Sequence, residues 1–172
     1  MPFVTLEGGE GAGKSVQTLR LRARLEGRGL SVVATREPGG TPVGEGVRNN
    51  VLRPPAGARV DPVAELLLFE AARAQLVATV IRPALERGDA VLCDRFADSS
   101  LAYQGYGRGL HLELIERLNA IATGGLRPDL TLLLDVPVAI GLTRRRQEGG
   151  LNSLDGEDLA FHERVREGYL AL

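Results

Sequence analysis

The chain has 172 residues and a net charge of −1 at pH 7, with 44% hydrophobic and 25% charged residues. These values fit one globular α/β domain, and they argue against a protein that binds nucleic acid or a membrane surface through excess positive charge. No apolar run reaches the roughly 18 residues of a membrane-spanning helix, and we expect no signal peptide. The single Cys93 allows no intramolecular disulfide, so we expect a cytoplasmic protein.

Four continuous apolar runs predict strands, in chain order, over 3–7, 32–35, 90–94 and 130–136. Runs that do not alternate with polar residues are typical of strands covered on both faces. Amphipathic stretches predict helices over 14–28, 62–87, 111–122, 137–147 and 155–172. We therefore predict a single domain over 1–172, a three-layer α/β/α fold with an open parallel sheet. The Gly- and Pro-rich segment 36–61 is predicted to be a functional loop.

Residues 8–15 match the pattern G-x-x-x-x-G-K-[ST] and lie between a predicted strand and a predicted helix. Glycines let the backbone curl so that its N–H groups point at phosphate oxygens. Lys14, the only lysine of the chain, would reach the β- and γ-phosphates, and the Ser15 hydroxyl could bind Mg²⁺. We therefore predict an ATP site formed by Gly8, Gly9, Glu10, Gly11, Ala12, Gly13, Lys14 and Ser15.

The remaining motifs favour a kinase over other nucleotide-binding classes. A GTPase reads guanine with N-K-x-D, which needs a second lysine, and the strand at 90–93 ends in Asp94-Arg95 rather than in a pair of acids. Arg95 and Arg36 both follow strands, at the edge where such sheets bind ligands. Arg95 could instead form a structural ion pair with Asp94, and Arg36 could be a solvated loop charge. With the arginine triplet 144–146, they could surround two phosphorylated ligands.

Longer segments carry a more specific signal. They read Glu-Gly-Gly-Glu-Gly-Ala-Gly-Lys-Ser at 7–15, Thr-Arg-Glu-Pro-Gly-Gly-Thr at 35–41, Leu-Leu-Leu-Phe-Glu-Ala-Ala-Arg-Ala-Gln at 66–75 and Asp-Arg-Phe-Ala-Asp-Ser-Ser-Leu-Ala-Tyr-Gln-Gly at 94–105. Over almost its whole length the chain resembles the bacterial thymidylate kinases. The resemblance implies a P-loop fold with a five-stranded sheet, a homodimer, and transfer of a phosphoryl group from ATP to dTMP with Mg²⁺.

The resemblance also implies how the base and sugar of dTMP are bound. Phe69 would stack on thymine, Arg73 one helical turn later would donate to a base carbonyl, and Ser100 and Gln104 would complete base recognition. Tyr103 would crowd the 2′ position and so favour deoxyribose. Phe69 could instead be a core residue, and Tyr103 a half-buried packing residue. Ser100 and Gln104 could instead be a helix cap or surface residues.

Other roles implied by the resemblance concern the phosphates. Glu10 would accept from the 3′-hydroxyl, or simply serve the helix dipole. Arg95 and Arg36 would hold the dTMP phosphate, and Asp94 would position Mg²⁺ through water beside Ser15.

A lid at about 141–155 is a further expectation from the resemblance. Family members with a small residue at the place of Gly11 supply arginines from a mobile lid, which excludes water when it closes. The candidates are the arginines of the triplet, and we assign Arg144 and Arg146 as catalytic together with Lys14 and Arg95. The alternative is a charge cluster at a helix C-terminus.

The chain departs from the family pattern at several places. Glu148 and Asn152-Ser153 stand where the family often has a further arginine and an Asp-Arg pair, and Val16 replaces a second hydroxyl residue after the loop. The family normally continues with a fifth strand and a final helix, which we expect this sequence to lack. Two other functions stay open: a different nucleoside-monophosphate kinase, and a nucleotide-binding regulatory protein without activity.

Overall fold

Four parallel strands form the sheet of this computed structural model, which describes residues 1–55 and 58–172. They are β1 (Phe3–Glu7), β2 (Val32–Arg36), β3 (Ala90–Asp94) and β4 (Leu130–Leu133). Their order in the sheet is β2-β3-β1-β4, and every neighbouring pair is parallel. The predicted parallel sheet is confirmed. Within the described residues it has one strand fewer than the resemblance implies, and β4 ends before residue 136.

Helices lie between the strands and after β4. They are α1 (Lys14–Glu26), α2 (Pro42–Leu52), α3 (Pro62–Leu76), α4 (Arg82–Glu86), α5 (Ala97–Ser100), α6 (Leu112–Thr123), α7 (Val138–Glu148) and α8 (Leu159–Ala171). Two wider π-helical turns extend them, because Val77–Ile81 joins α3 to α4 and Leu101–Gly107 continues α5. In the part of the chain described, no helix is long and apolar enough to span a membrane.

The sheet is covered on both faces, which makes it the middle of three layers. Successive residues of a strand point to opposite faces, and β3 shows this directly. Leu92 packs with Leu21 and Leu25 of α1, whereas Val91 and Cys93 pack with α3 and the π-helical turn that follows it. Burial on both faces explains why β1 and β3 are continuous apolar runs in the sequence, whereas all four residues of β4, at the edge of the sheet, are exposed.

Helix α2 lies within segment 36–61, for which the sequence predicts a loop, so that prediction is wrong over Pro42–Leu52. The Oγ1 of Thr41 caps the helix by accepting from the N–H of Gly44 at 2.9 Å. Pro42 takes the first helical position, where the fixed φ of proline already matches the helix. The Thr-Pro start was therefore a helix signal, hidden among many Gly and Pro residues.

A second apolar cluster lies away from the sheet and joins α2, α3, the turn 101–107 and α8. Its large members are Phe69, Tyr103, Phe161 and Tyr169, all buried. Contact between α8 and the turn 101–107 is close, since a Cβ added at Gly168 would lie 2.8 Å from Cγ and 2.9 Å from Cβ of Tyr106.

We expect Gly168→Ala to destabilise the protein by about 1–3 kcal/mol. The added methyl would press on the ring base of Tyr106, which cannot swing away like the tip of a long side chain. Gly46→Ala is the matched control, because it also lies in a helix but has no atom within 4 Å of its added Cβ. Gly46→Ala should increase the free energy of unfolding by about 0.5–1 kcal/mol. Thermal unfolding measures both, and a Gly168→Ala variant as stable as the parent would contradict this packing.

Candidate active site

The phosphate loop 8–15 connects β1 to α1, as predicted. Lys14 folds back over the loop, and its Nζ donates to the carbonyl oxygens of Gly8 at 3.0 Å and Gly9 at 2.7 Å. Burial lowers the pKa of Lys14 to about 8, and the charge of Arg95 acts in the same direction. The ammonium is thus held, largely protonated at neutral pH, where nucleotide phosphates would meet the loop.

Gly11 is the point where the loop touches α7. Its φ is 63°, and an added Cβ would lie 2.0 Å from the carbonyl oxygen of Gly141. A larger residue would have to displace α7, in a backbone conformation that side chains disfavour. Any arginine that acts on the transferred phosphoryl group must therefore come from outside this position of the loop.

Ser15 and Asp94 meet at the mouth of the loop. The Ser15 hydroxyl donates to Oδ2 of Asp94 at 2.6 Å, and the contact is exposed. Two hard oxygen ligands suit Mg²⁺, which usually keeps several waters and takes substrate phosphates as its other ligands. Among the described residues, no cluster of three or more His, Cys, Asp or Glu could hold a metal by itself. The pair therefore fits a metal ion that arrives with a nucleotide.

Arg95 directly follows β3, and its side chain, 14% exposed, is largely enclosed where the loop begins. It is the one non-glycine residue in the described ranges with positive φ, at 72°, a strained conformation of the kind that clusters at functional sites. Its Nη1 donates to the carbonyl of Gly8 at 3.0 Å and to the hydroxyl of Tyr169 at 2.9 Å, and its Nη2 donates to the hydroxyl of Tyr103 at 2.9 Å. The guanidinium also lies 4.8 Å from the centre of the Tyr103 ring.

Glu10 provides the negative charge beside this guanidinium. Its Oε1 accepts from Nη2 of Arg95 and from the hydroxyl of Tyr103, both at 2.8 Å. Burial alone would raise the pKa of Glu10, but Arg95, Lys14 and the Tyr103 hydroxyl together lower it to about 2. Glu10 is therefore an ionised acceptor at neutral pH.

Glu7 belongs to the same network, although the sequence analysis missed it. It is 1% exposed, and it accepts from the N–H of Phe96 at 2.7 Å, the hydroxyl of Ser99 at 2.7 Å and the hydroxyl of Tyr169 at 3.1 Å. The sequence feature that could have identified Glu7 is its place as a polar residue at the end of an apolar strand. No sequence feature marks Tyr169 of α8, because its partners are far away in sequence. Glu7 thus acts on Arg95 indirectly, because Ser99 and Tyr169 contact both the carboxylate of Glu7 and the guanidinium of Arg95.

Two adjoining pockets open around Arg95. The aromatic pocket is lined by Phe69, Arg73, Ser100, Tyr103 and Gln104 among others. The loop pocket is lined by residues 10–16, Arg36, Asp94 and Arg145 among others. The residues that line both are Glu10, Glu37, Arg48, Arg95 and Asn152. The pockets therefore meet at Arg95, and two ligands could approach each other there.

The structure brings the predicted base-binding residues together in the aromatic pocket. Phe69 comes from α3, Ser100 from α5, and Tyr103 and Gln104 from the turn 101–107. Phe69 is 9% exposed and also belongs to the second apolar cluster, so its core role and its place in the pocket wall coexist. The pocket thus combines aromatic walls with a few polar groups, the usual make-up of a small-molecule site.

Arg73 is fixed in the pocket wall by many partners. Its Nε donates to Glu37 at 2.8 Å, and its Nη1 donates to Glu70 at 2.6 Å, Asn119 at 2.6 Å and Ser100 at 3.0 Å. Burial would lower the pKa of Arg73, but the two carboxylates raise it. Arg73 is therefore a rigid, permanently charged donor in the wall.

Further arginines surround the loop pocket. Arg36 is exposed, and its Nη2 donates to Glu45 at 2.8 Å. Arg48 of α2, which the sequence analysis missed, lines both pockets and donates to the carbonyl of Pro38 at 2.9 Å. Burial lowers the pKa of Arg48, and nearby Arg36 adds to this effect. Recognising helix α2 would have placed Arg48 in the site, since α2 begins beside Arg36.

The predicted lid segment begins inside α7 and continues in the turns after it. Among the three arginines of the described α7, Arg145 lines the loop pocket, whereas Arg144 and Arg146 are exposed and are not among the lining residues. The guanidinium of Arg145 donates to the carbonyls of Gly149 and Gly150, both at 2.9 Å, and lies 3.1 Å from Oδ2 of Asp155. The catalytic assignment of Arg144 and Arg146 stays a prediction.

Known proteins resemble this chain over nearly its full length. The family model for thymidylate kinase matches residues 6–172. The thymidylate kinase of Deinococcus radiodurans is 57% identical over 99% of this chain and 82% of its own length, and that of Methylococcus capsulatus is 58% identical over 99% and 80%. The solved structure of thymidylate kinase from Ehrlichia chaffeensis superposes with a TM-score of 0.80 at 37% identity, covering 99% of this chain and 85% of that one.

The buried carboxyl of Glu7 should make stability fall as pH rises. Burial raises its pKa from the ordinary 4.5 to about 7, against the Ser99 hydrogen bond and the charge of Arg95. Between these pH values the folded protein holds a proton that the unfolded chain has lost, so the free energy of unfolding decreases from about pH 4.5 to 7. The decline due to Glu7 is of order 3 kcal/mol.

We therefore expect Glu7→Gln to show a shallower decline than the parent when urea unfolding is measured from pH 5 to pH 8. Exposed Glu113→Gln is the control and should keep the parent's decline. An unchanged slope in Glu7→Gln would contradict this account of the buried carboxyl, whatever the absolute stability of the variant.

Proposed function

The chain belongs to the thymidylate kinase family, and we propose that it transfers the γ-phosphoryl group of ATP to dTMP, giving ADP and dTDP for dTTP synthesis. The observation that carries this proposal is the meeting of the two pockets at Arg95. One pocket suits a flat base and its sugar, and the other suits the triphosphate of a donor. A single buried guanidinium lies where the two phosphate chains would face each other.

The aromatic pocket would take the thymine base and the deoxyribose. Phe69 would stack on the base, Arg73 would donate to a base carbonyl from its fixed place, and Ser100 and Gln104 would contact the polar edge. The buried ring of Tyr103 would leave little room for a 2′-hydroxyl. Together these contacts would hold the acceptor in one orientation before the reaction.

The groups between the pockets would handle the acceptor's sugar and phosphate. Glu10 is an ionised acceptor and could receive the 3′-hydroxyl in addition to its present partners. Arg95 and Arg36 would bind the acceptor phosphate, and Arg48 lies beside them. A planar guanidinium can bind two phosphate oxygens at once. These residues would therefore orient one oxygen of the acceptor phosphate toward the γ-phosphate of ATP.

The phosphate loop would bind ATP through Gly8, Gly9, Glu10, Gly11, Ala12, Gly13, Lys14 and Ser15. In the transition state, negative charge is spread over the oxygens of the transferred phosphoryl group. The loop carbonyls hold Lys14, and Glu10 and Tyr103 hold Arg95, so both cations lie beside the loop, where they would stabilise that charge. Nothing in this step needs a protein general base, since the acceptor phosphate is already a nucleophile.

Ser15 and Asp94 would hold Mg²⁺, with Asp94 acting through water. When bound, the ion neutralises charge on the phosphate oxygens and orients them for in-line transfer. The fit is supported by the oxygen pair at the mouth of the loop.

We further propose a cytoplasmic homodimer, with ATP and dTMP as its partners. Highly charged nucleotides stay in the compartment that makes them, which supports the location. Leu67 of α3 and Ile121 of α6 are 50% and 76% exposed on helices that pack against each other. Exposed apolar residues on neighbouring helices support a contact with a second copy.

The decisive experiment measures ADP release from ATP with dTMP, dUMP, dGMP or AMP as acceptor. We expect turnover to be highest with dTMP. We expect Arg95→Ala to lower kcat more than a hundredfold while the variant stays folded by circular dichroism, because a buried cation at the point of transfer is lost. Preference for another nucleotide would indicate a different monophosphate kinase, and no acceptor-dependent turnover would indicate a regulatory protein.

A second experiment identifies the lid arginine. We propose that Arg145 acts from the lid, since its guanidinium already borders the loop pocket. Arg145→Ala should lower kcat at least tenfold, and Arg144→Ala and Arg146→Ala, matched changes on the same helix, should lower it less. The reverse order in steady-state kinetics would restore the assignment of Arg144 and Arg146 and remove Arg145.

A further inference from the structure

Gln104 has an amide whose two ends are chemically opposite, so its orientation decides whether it offers a donor or an acceptor to the aromatic pocket. One end is a carbonyl that accepts, and the other is an amino group that donates. Gln104 is 1% exposed and lines the pocket. Its Nε2 donates to Oε1 of Glu65 at 2.8 Å. With the amino end turned to Glu65, the carbonyl is the end that is left for a ligand.

Glu65 can hold that orientation because its environment makes it an acceptor. It is 2% exposed in the first turn of α3. Arg108 donates from Nε to Oε1 at 3.3 Å and from Nη2 to Oε2 at 3.2 Å, so one cation contacts both carboxylate oxygens. A carboxylate paired in this way offers no proton to a neighbour. If the amide of Gln104 turned over, its carbonyl would face these oxygens, which is repulsive, and the buried carbonyl would lack a donor on that side.

Arg108 is itself held firmly. Its Nη1 donates to Glu157 at 2.5 Å, and its guanidinium lies 4.8 Å from the centre of the Phe161 ring. The chain of contacts therefore runs from the surface at Glu157 through Arg108 and Glu65 to Gln104 in the pocket. None of these groups except Gln104 is among the residues that line the aromatic pocket of the described structure.

The resulting pattern in the pocket matches one class of pyrimidine. A fixed carbonyl at Gln104 would accept from a ring N–H. The fixed guanidinium of Arg73, whose N–H groups all have protein partners, would share one of them with a ring carbonyl. Thymine and uracil present an N–H at N3 beside a carbonyl at C4. Cytosine presents an acceptor at N3 and an amino group at C4, so both contacts would be repulsive. Sites that leave buried polar groups unpaired reject an analogue strongly.

We propose that Glu65 is a positioning residue that, together with Arg108, fixes Gln104 as an acceptor and so makes the site select pyrimidines that carry an N3–H. This inference rests on the proposed function, since it concerns how the same pocket reads its acceptor. Glu65 does not touch the substrate, and it acts only through the amide of Gln104.

The test compares kcat/KM for dTMP, dUMP and dCMP in Glu65→Gln and in the parent. A glutamine at 65 can donate or accept, so Gln104 is free to turn. We expect the dTMP-to-dCMP ratio to fall at least tenfold, mainly through a higher KM for dTMP and with the dTMP-to-dUMP ratio unchanged. A change that merely loosens the pocket would lower all three values together, and that outcome would overturn the proposal.

Glu157→Gln is the matched control, because it removes the other carboxylate partner of Arg108 and leaves Glu65 on Gln104. It should keep the parent's dTMP-to-dCMP ratio. In a Gln104→Ala background, Glu65→Gln should have no additional effect on that ratio, since the two act as one unit. An equal additional loss there would show that Glu65 works by another route.

Two outcomes separate this inference from the proposed function. A parent enzyme without dTMP-dependent turnover would refute the function, whereas an active parent whose selectivity survives in Glu65→Gln would refute only the role of Glu65. If Glu65→Gln does not fold, Glu65→Asp keeps the charge opposite Arg108 and only withdraws the oxygens from Gln104. It should lower the same ratio at least threefold, and an unchanged ratio would overturn the proposal.

Discussion

The burial of the Arg95 guanidinium is the constraint on which the arrangement of the cleft depends. A buried cation is costly unless charged and hydrogen-bonding partners surround it. Here those partners come from distant parts of the chain: Glu10 and Gly8 from the phosphate loop, Tyr103 from the turn after α5, and Tyr169 from α8. Satisfying one side chain therefore fixes the loop, the aromatic pocket and α8 relative to β3.

The two arginines that line the aromatic pocket wall beside Glu10 and Glu37 are both paired with carboxylates. Arg95 faces Glu10, and Arg73 faces Glu37 and Glu70. An incoming phosphate would compete for Arg95 with groups that already hold it in position, and it would not have to order a mobile side chain. Such preorganisation is the principal means by which proteins stabilise charge that moves in a reaction.

The sequence analysis predicted elements that contiguous residues define, and it missed site residues that come together only in the folded chain. The phosphate loop and the buried strands were readable because their signals are contiguous. Phe69, Arg73, Tyr103 and Gln104, which the resemblance implies as base-binding residues, lie in one pocket wall, and their roles stay predictions. Glu7, Arg48 and Tyr169 were missed. Glu7 is one carboxylate in an apolar strand, Arg48 lies on a helix hidden by glycines, and the contacts of Tyr169 span most of the chain. Residue roles that depend on three or more segments leave no local pattern.

The π-helical turn 101–107 contributes to two separate parts of the cleft. It carries Tyr103, whose hydroxyl contacts Arg95 and Glu10, directly before Gln104, whose amide contacts Glu65. Widened turns of this kind recur at functional sites, and hydrophobic periodicity does not reveal them. Because the two residues are adjacent, one short turn supplies both the hydroxyl that meets the Arg95 guanidinium and the amide that lines the aromatic pocket.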